Sequence, residues 1–322
     1  MPVMSTPPDQ FDTPWKEAVE HYFAEFMAFY FPDAHRQIDW AKGHSFLDQE
    51  LQAVSRDAEI GKRFVDKLVQ VHRLSGQEDW IYLHLEIQGT AQAEFAKRMF
   101  VYNYRIFDKY DRPVASMAVL ADDSLDWKPQ AYSFEALGCQ HTLKFPVAKL
   151  MDYGQHGARL ETDPNPFALV TLAHLETKAT RQDPKARYEA KWRLIKTLLN
   201  RGWGKERIVE LLKVIDWMMY LPEQFKQQLW QNVQQLAKEK NMPYVTSFEQ
   251  IGIDKGMQAG MQAGMQAGEA AALQKLLTKR FGVIPAEALA QISTASPVQI
   301  DAWLDLVLDA PSLNHIFEAN RH

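Results

Sequence analysis

The segment IYLHLEIQG (81–89) alternates strictly between apolar and polar positions. In an extended chain Ile81, Leu83, Leu85 and Ile87 fall on one face, and Tyr82, His84, Glu86 and Gln88 on the other. A second such run, RFVDKLVQVHR (63–73), precedes it. The turn-rich LSGQED (74–79) between them, with its Ser-Gly pair, predicts a hairpin. Upstream, WKEAVEHYFAEFMAFYF (15–31) carries a stripe of Ala18, Tyr22, Phe26 and Phe29 at helical spacing and is closed by Pro32. SFLDQELQAVSRDAE (45–59) predicts a second helix with Ser45 as its N-cap. Downstream come a long amphipathic helix over 91–111 stopped by Pro113, a buried strand over 114–122, and one or two further strands within 130–150. Helix, hairpin, helix, strand is the alternation of an α/β core.

From Pro166 to about Lys240 the pattern is helical almost throughout, with Gly202 and Gly204 read as C-terminal glycines of two helices. The run GMQAGMQAGMQAG (256–268) then places Gly256, Gly260, Gly264 and Gly268 along one side of a helix. A bare stripe of this kind permits close helix–helix contact, and it equally suits a weak-helix linker, since each Gly costs about 1 kcal/mol against Ala. Both readings stand. In the tail, Ser296-Pro297 reads as an N-cap with Pro at the first helical position. The expected organisation is a flexible arm (1–14), an α/β core (15–160), a helical region (161–245), the Gly-rich repeat (246–268) and a small helical C-terminal domain (269–322).

The 322 residues are 46% hydrophobic and 24% charged, ordinary for a globular protein. The N-terminus shows no basic and apolar leader pattern, and no apolar run approaches bilayer length, so a cytoplasmic protein is expected, with no membrane partner. A single cysteine, Cys139, excludes an intrachain disulfide and a cysteine-based zinc site. It is read as a small packing residue. The net charge of −5 argues against a protein that coats nucleic acid, though not against one local basic patch. There is no phosphate-binding loop ending in Lys-Ser/Thr, no H-E-x-x-H and no G-x-S-x-G.

If the hairpin pivots on Gly76, residues whose numbers sum to about 152 stand opposite each other. Asp66 then faces Glu86 across the ladder, with Gln88 one step further along the same face. Two neighbouring carboxylates repel unless something positive lies between them, and a divalent ion such as Mg²⁺ is the natural neutraliser. The same pair on an exposed face would simply be hydrated. A one-residue slip would separate them. Spacing leaves these readings open.

The segments IDW (38–40), FLDQELQAVSRDAEIGKRFVDKLVQV (46–71), YLHLEIQ (82–88) and FAKRMFVYNYRIFDKYDRPV (95–114) resemble the recombination-promoting nuclease (Rpn) family. Its members are often labelled transposases and belong to the PD-(D/E)XK nuclease superfamily. The resemblance is dense over about 15–155. The repeat and tail also look like a C-terminal domain of unknown function common in that family. The resemblance implies a mixed β-sheet flanked by helices and a Mg²⁺-dependent DNA endonuclease. It carries Asp66 as the motif aspartate, Glu86 as the second metal carboxylate, and Gln88 in the place where the superfamily usually has lysine. Glu50, in LDQEL with Asp48 behind it, is the candidate third metal contact on the preceding helix.

For DNA contact, Arg98 and Arg105 on the helix after the hairpin lie two turns apart, about 10 Å, which suits neighbouring phosphates. Lys62 and Arg63 are second candidates. Salt-bridged surface is the competing reading, with Glu94 four residues before Arg98. The run KARYEAKWRLIK (185–196) is a further basic patch with the character of a solvated helix face. His84 shares the Glu86 face without an assigned role. The alternatives to an endonuclease are a non-catalytic DNA-binding or protein-interaction protein on the same fold, and a strand-joining transposase. A homodimer or higher oligomer would let two sites act on two strands.

Overall fold

A computed structural model describes residues 11–47, 63–74, 80–155, 157–242, 272–282, 284–285, 288–289, 291–292, 297–307, 310, 312–313 and 316. Of residues 63–66, 80, 297, 298, 301, 302 and 305 only the backbone is described. The chain divides into two compact units, Met1–Thr246 and Ser247–His322. The sheet and the helices that follow it as far as Glu239 lie in the first unit.

The first unit is mixed α/β. Its five-stranded sheet has the order β1 (His44–Phe46), β2 (Arg63–His72), β3 (Trp80–Gln88), β4 (Val114–Leu120), β7 (Val147–Lys149). β1, β2 and β3 pair antiparallel, whereas β3, β4 and β7 run parallel. A parallel neighbour requires a crossover. Between β3 and β4 that crossover is a 16-residue helix, Phe95–Tyr110, closed by Asp111 in the left-handed region at φ 48°. β5 (Ala131–Ala136) and β6 (Cys139–Lys144) form a separate two-stranded hairpin.

The N-terminal helix expected as one piece is two, α1 (Asp12–His21) and α2 (Phe23–Tyr30), parted at Tyr22 (φ −130°, ψ 41°). No Gly or Pro marks the break. Tertiary packing sets it, with Trp15, Ala18 and Val19 buried from α1 but Phe23, Phe26, Met27 and Tyr30 from α2. Pro32 opens a short helix, α3 (Pro32–His35), rather than only ending one. Ser45 is not a helix N-cap. It lies in β1 opposite Gln70, and Phe46 beside it packs on Phe23 at 5.6 Å between ring centroids. The remainder of the helix expected over 45–59 lies outside the described residues. The crossover helix, hereafter α4, begins at Phe95 rather than 91 and buries Phe95, Met99, Tyr102 and Ile106.

After the short α5 (Leu150–Gly154) and α6 (Gly157–Thr162) come α7 (Pro166–Ala179), α8 (Pro184–Leu199), α9 (Lys205–Met218) and α10 (Glu223–Glu239). Helix α7 is buried almost all round, as an apolar helix at the centre of a bundle must be. It anchors the N-terminal helices: Phe167 meets Phe26 at 5.2 Å, and Tyr30 Oη lies 2.6 Å from Thr171 Oγ1. Gly202, at φ 68°, follows α8 in the left-handed conformation that a helix end demands. Gly204 instead precedes α9 as its N-cap, at φ −61°. Among the described residues no helix is long and apolar enough to cross a membrane.

The second unit has its own core of Leu273, Leu277, Ile292, Ile300, Trp303, Val307, Ala310 and Ile316. Its helix α11 (Pro297–Leu306) begins at the expected proline, while Ser296 and the GMQA repeat lie outside the described residues.

Candidate functional site

The polar face of β3 is neither solvated nor open. Helix α4 lies over it, and Tyr82, His84, Glu86 and Gln88 are all buried. A helix advances about 6 Å in four residues and a strand about 6.6 Å in two, so every fourth helix residue can meet every second strand residue. That match brings Tyr102 and Arg98, four apart on α4, against His84 and Glu86, two apart on β3. Tyr110 packs on Tyr82 (4.6 Å between centroids), Tyr102 stands edge-on to His84 (5.2 Å), and Arg98 pairs with Glu86.

The Arg98–Glu86 ion pair is 7% exposed on one side and 0% on the other. The same guanidinium nitrogen also donates to Gln88 Oε1 at 2.8 Å, and its Nη1 donates to Gln92 Oε1 at 2.8 Å. The guanidinium lies 5.3 Å from the centroid of the Phe95 ring. Gln88 is engaged at both ends of its amide, for Nε2 donates to Thr90 O at 2.7 Å. Its amide thus holds Arg98 on one side and the Thr90 carbonyl on the other. Taking an ion pair out of water is expensive, so such a pair needs further hydrogen bonds, and these are the ones provided.

The hairpin register is the expected one: Asp66 is the backbone partner of Glu86, and the pairing keeps the sum of 152 from Asp66 to His72. The ladder is irregular between Arg63 and Val65, immediately before Asp66. Bulges at such positions re-aim the chain near functional sites. Lys67 faces the opposite side, where it is buried and pairs with Glu20 of α1.

Further along the same face, Ser116 Oγ lies 3.3 Å from His84 Nδ1 and accepts from Asn103 Nδ2 at 3.1 Å. His84 is therefore a member of a packed polar network. Beyond Phe95, at the ends of the parallel strands, a second buried ion pair joins Lys149 to Asp122 at 2.5 Å. Lys149 lies 5.6 Å from the Trp127 ring centroid, and Trp127 in turn meets Phe95 edge-on at 5.3 Å. Two buried ion pairs thus flank one phenylalanine.

Of the residues expected to touch DNA, Arg98 is inside the protein, turned to the carboxylate and amide of β3 instead of to solvent. Arg105 lies half-buried on α4, and Arg63 pairs by backbone with Gln88. Glu50 and Lys62 lie outside the described residues, as does the Asp66 side chain. The expected Cys139 packing role also fails, because the thiol is exposed on the β5–β6 hairpin.

The two-turn spacing of Arg98 and Arg105 suggested contacts to neighbouring phosphates. The place of Arg98 in the stripe carried the other answer: four residues before Tyr102 and three after Phe95, Arg98 lies within the buried stripe. Lys149 and Asp122 left no pairwise signal, being 27 residues apart.

No protein-family model matches the chain, and neither a curated protein nor a solved structure matches it.

Proposed function

We propose that this chain is a metal-dependent DNA endonuclease of the recombination-promoting type, with its mixed sheet serving as a PD-(D/E)XK core. One relationship carries the reading: Asp66 and Glu86 are register partners, and Glu86 shares a buried guanidinium with Gln88. Two carboxylates against one guanidinium leave net negative charge for a cation to answer, and hard oxygen donors suit Mg²⁺. Asp66 and Glu86 are the residues to hold the ion, with Glu50 as a third. When bound, such an ion polarises a water and offsets charge on a phosphodiester.

The superfamily's lysine supplies a positive charge, and Gln88 does not. Arg98 answers that deficit. Its guanidinium is fixed by Glu86, Gln88, Gln92 and the Phe95 ring, so it needs little reorganisation to stabilise charge developing beside Glu86. Gln88 is then a positioning residue for Arg98.

The second reading, a non-catalytic DNA-binding or interaction protein on this fold, draws support from the same pair. Glu86 and Arg98 are buried and satisfy one another, as a purely structural link would. Plasmid nicking by purified protein with Mg²⁺ and with EDTA, alongside folded Asp66→Ala and Glu86→Ala variants, separates them. Metal-dependent nicking lost in both variants supports the endonuclease. No nicking in any divalent metal, with DNA binding unaltered in the variants, establishes the second reading.

A further inference from the structure

A separate group of metal-ligating side chains lies where α1 meets α9. Glu17 and His21 stand one turn apart on α1, and Glu210 reaches them from α9. One ligand atom from each lies within 4.8 Å of the others. His21 Nε2 is 3.8 Å from Glu210 Oε2, and His21 Nδ1 is 3.9 Å from Glu17 Oε2.

The ring is already oriented. Nδ1 lies 2.9 Å from the Glu17 carbonyl oxygen. A carbonyl only accepts, so Nδ1 carries the hydrogen and Nε2 presents its lone pair on the side of Glu210. Histidines that bind metals commonly donate their other ring N–H to a backbone carbonyl in this way, which fixes tautomer and orientation. Glu210 is steadied too, by Lys213 Nζ at 3.4 Å from its other oxygen. Arg207, the other cation at this corner, is engaged by Glu25 at 2.6 Å.

We propose that Glu17, His21 and Glu210 form a site for a borderline divalent transition metal, Zn²⁺ being the type case, that ties α1 to α9. Imidazole nitrogen and carboxylate oxygen are both zinc donors, and with three of them a water would complete the tetrahedron. Zinc bonds of about 2.0–2.1 Å put ligand atoms roughly 3.4 Å apart, so a set whose ligand atoms lie within 4.8 Å of one another closes by a contraction of up to about 1.4 Å. The Glu17, His21 and Glu210 side chains are 39%, 45% and 27% exposed, with room to make that adjustment. An imidazole donor selects Zn²⁺ over Mg²⁺, so this ion is of a different class from one held by Asp66 and Glu86. The tie reaches β2 as well, because Glu20 of α1 holds Lys67, the residue after Asp66.

The test uses the full untagged chain stripped with chelator. Zn²⁺ is titrated by calorimetry, Co²⁺ by absorption spectroscopy, and thermal unfolding is followed with and without Zn²⁺. One Zn²⁺ per chain is expected, with a rise in Tm that millimolar Mg²⁺ does not reproduce. Glu210→Gln and His21→Gln should each weaken binding roughly tenfold or more and abolish the Tm rise. Co²⁺ should show ligand-field bands without a thiolate charge-transfer band, which separates this site from the exposed Cys139–His141 pair, and Cys139→Ser should change nothing. Absence of saturable Zn²⁺ binding, or binding that survives both Glu210→Gln and Glu17→Gln, overturns the proposal. None of these readouts depends on nuclease activity.

Discussion

One guanidinium nitrogen of Arg98 serves both Glu86 Oε1 and Gln88 Oε1, two residues on the same face of β3. The carboxylate gives the cation its countercharge, and the amide fixes where the cation sits. Without Arg98, Glu86 would be a buried carboxylate deprived of this guanidinium. Without Glu86, Arg98 would be a buried cation held by amide oxygens.

That interdependence sets the first prediction. Arg98→Ala should lower unfolding free energy by roughly 3–5 kcal/mol, the usual cost of stranding one member of a buried pair. Arg98→Met combined with Glu86→Met should cost far less than the sum of the single changes, because neither charge is then stranded. Denaturant unfolding of the four proteins of this cycle measures the coupling, and additive single-site losses would show that the pair does not act as a unit.

On the proposed endonuclease reading, placing at position 88 the lysine that PD-(D/E)XK nucleases usually carry should fail here. Gln88→Lys exchanges an acceptor for a cation and sets it against a guanidinium that now donates to that acceptor at 2.8 Å. Lower Tm and reduced metal-dependent nicking are expected, whereas Gln88→Glu keeps an acceptor and should retain the fold. A Gln88→Lys protein that cuts faster than the parent would remove Arg98 from the role of surrogate cation.

The β5–β6 hairpin carries a testable local strain. Leu137 and Gly138 form its two-residue turn, with φ of 51° and 82°, and the Leu137 side chain is fully exposed. A turn with both central residues at positive φ favours Asn-Gly, and leucine there resists the left-handed conformation without burial in return. Leu137→Asn should therefore raise Tm by roughly 2–4 °C. Calorimetry decides it, and an unchanged or lower Tm would mean that the leucine stabilises the hairpin through a contact.

These residues also show what the sequence could convey. Strict alternation over 81–88 announced β3, and the Ser-Gly turn announced the register that pairs Asp66 with Glu86. Both signals are local, with period two and a short loop. What the alternation could not say was what covers the polar face, because that depends on α4 crossing back over β3. A row of Tyr, His, Glu and Gln reads the same under water or under a helix. The break at Tyr22 was illegible for a similar reason, since α1 and α2 bury different faces and no residue type at the junction records it. The segment around Ser45 has helix-compatible composition, and pairing with the β2 edge overrides that preference.

The last prediction concerns pH and His174, which joins three parts of the first unit. His174 is fully buried in α7; Trp15 Nε1 of α1 donates to its Nδ1 at 3.2 Å, and its Nε2 lies 3.3 Å from Ala121 O at the end of β4. Nδ1 accepts, so Nε2 carries the hydrogen and the ring is neutral. Burial first, then Lys178, lowers its pKa to about 3. An unfolded histidine titrates near 6.5, so below that pH the unfolded chain binds a proton that the folded one refuses. The neutral ring's contribution is thus complete above about pH 6.5 and is lost as pH falls from there towards 3. At about 1.4 kcal/mol per unit, the loss is on the order of several kcal/mol across that window. His174→Phe should be less stable at pH 7, through loss of the two polar contacts, yet show a shallower decline between pH 6.5 and 4. Unfolding free energies of both proteins at a series of pH values compare the slopes directly. Equal slopes would mean that the ring takes up its proton in the fold, and that the Trp15 contact yields to let it do so.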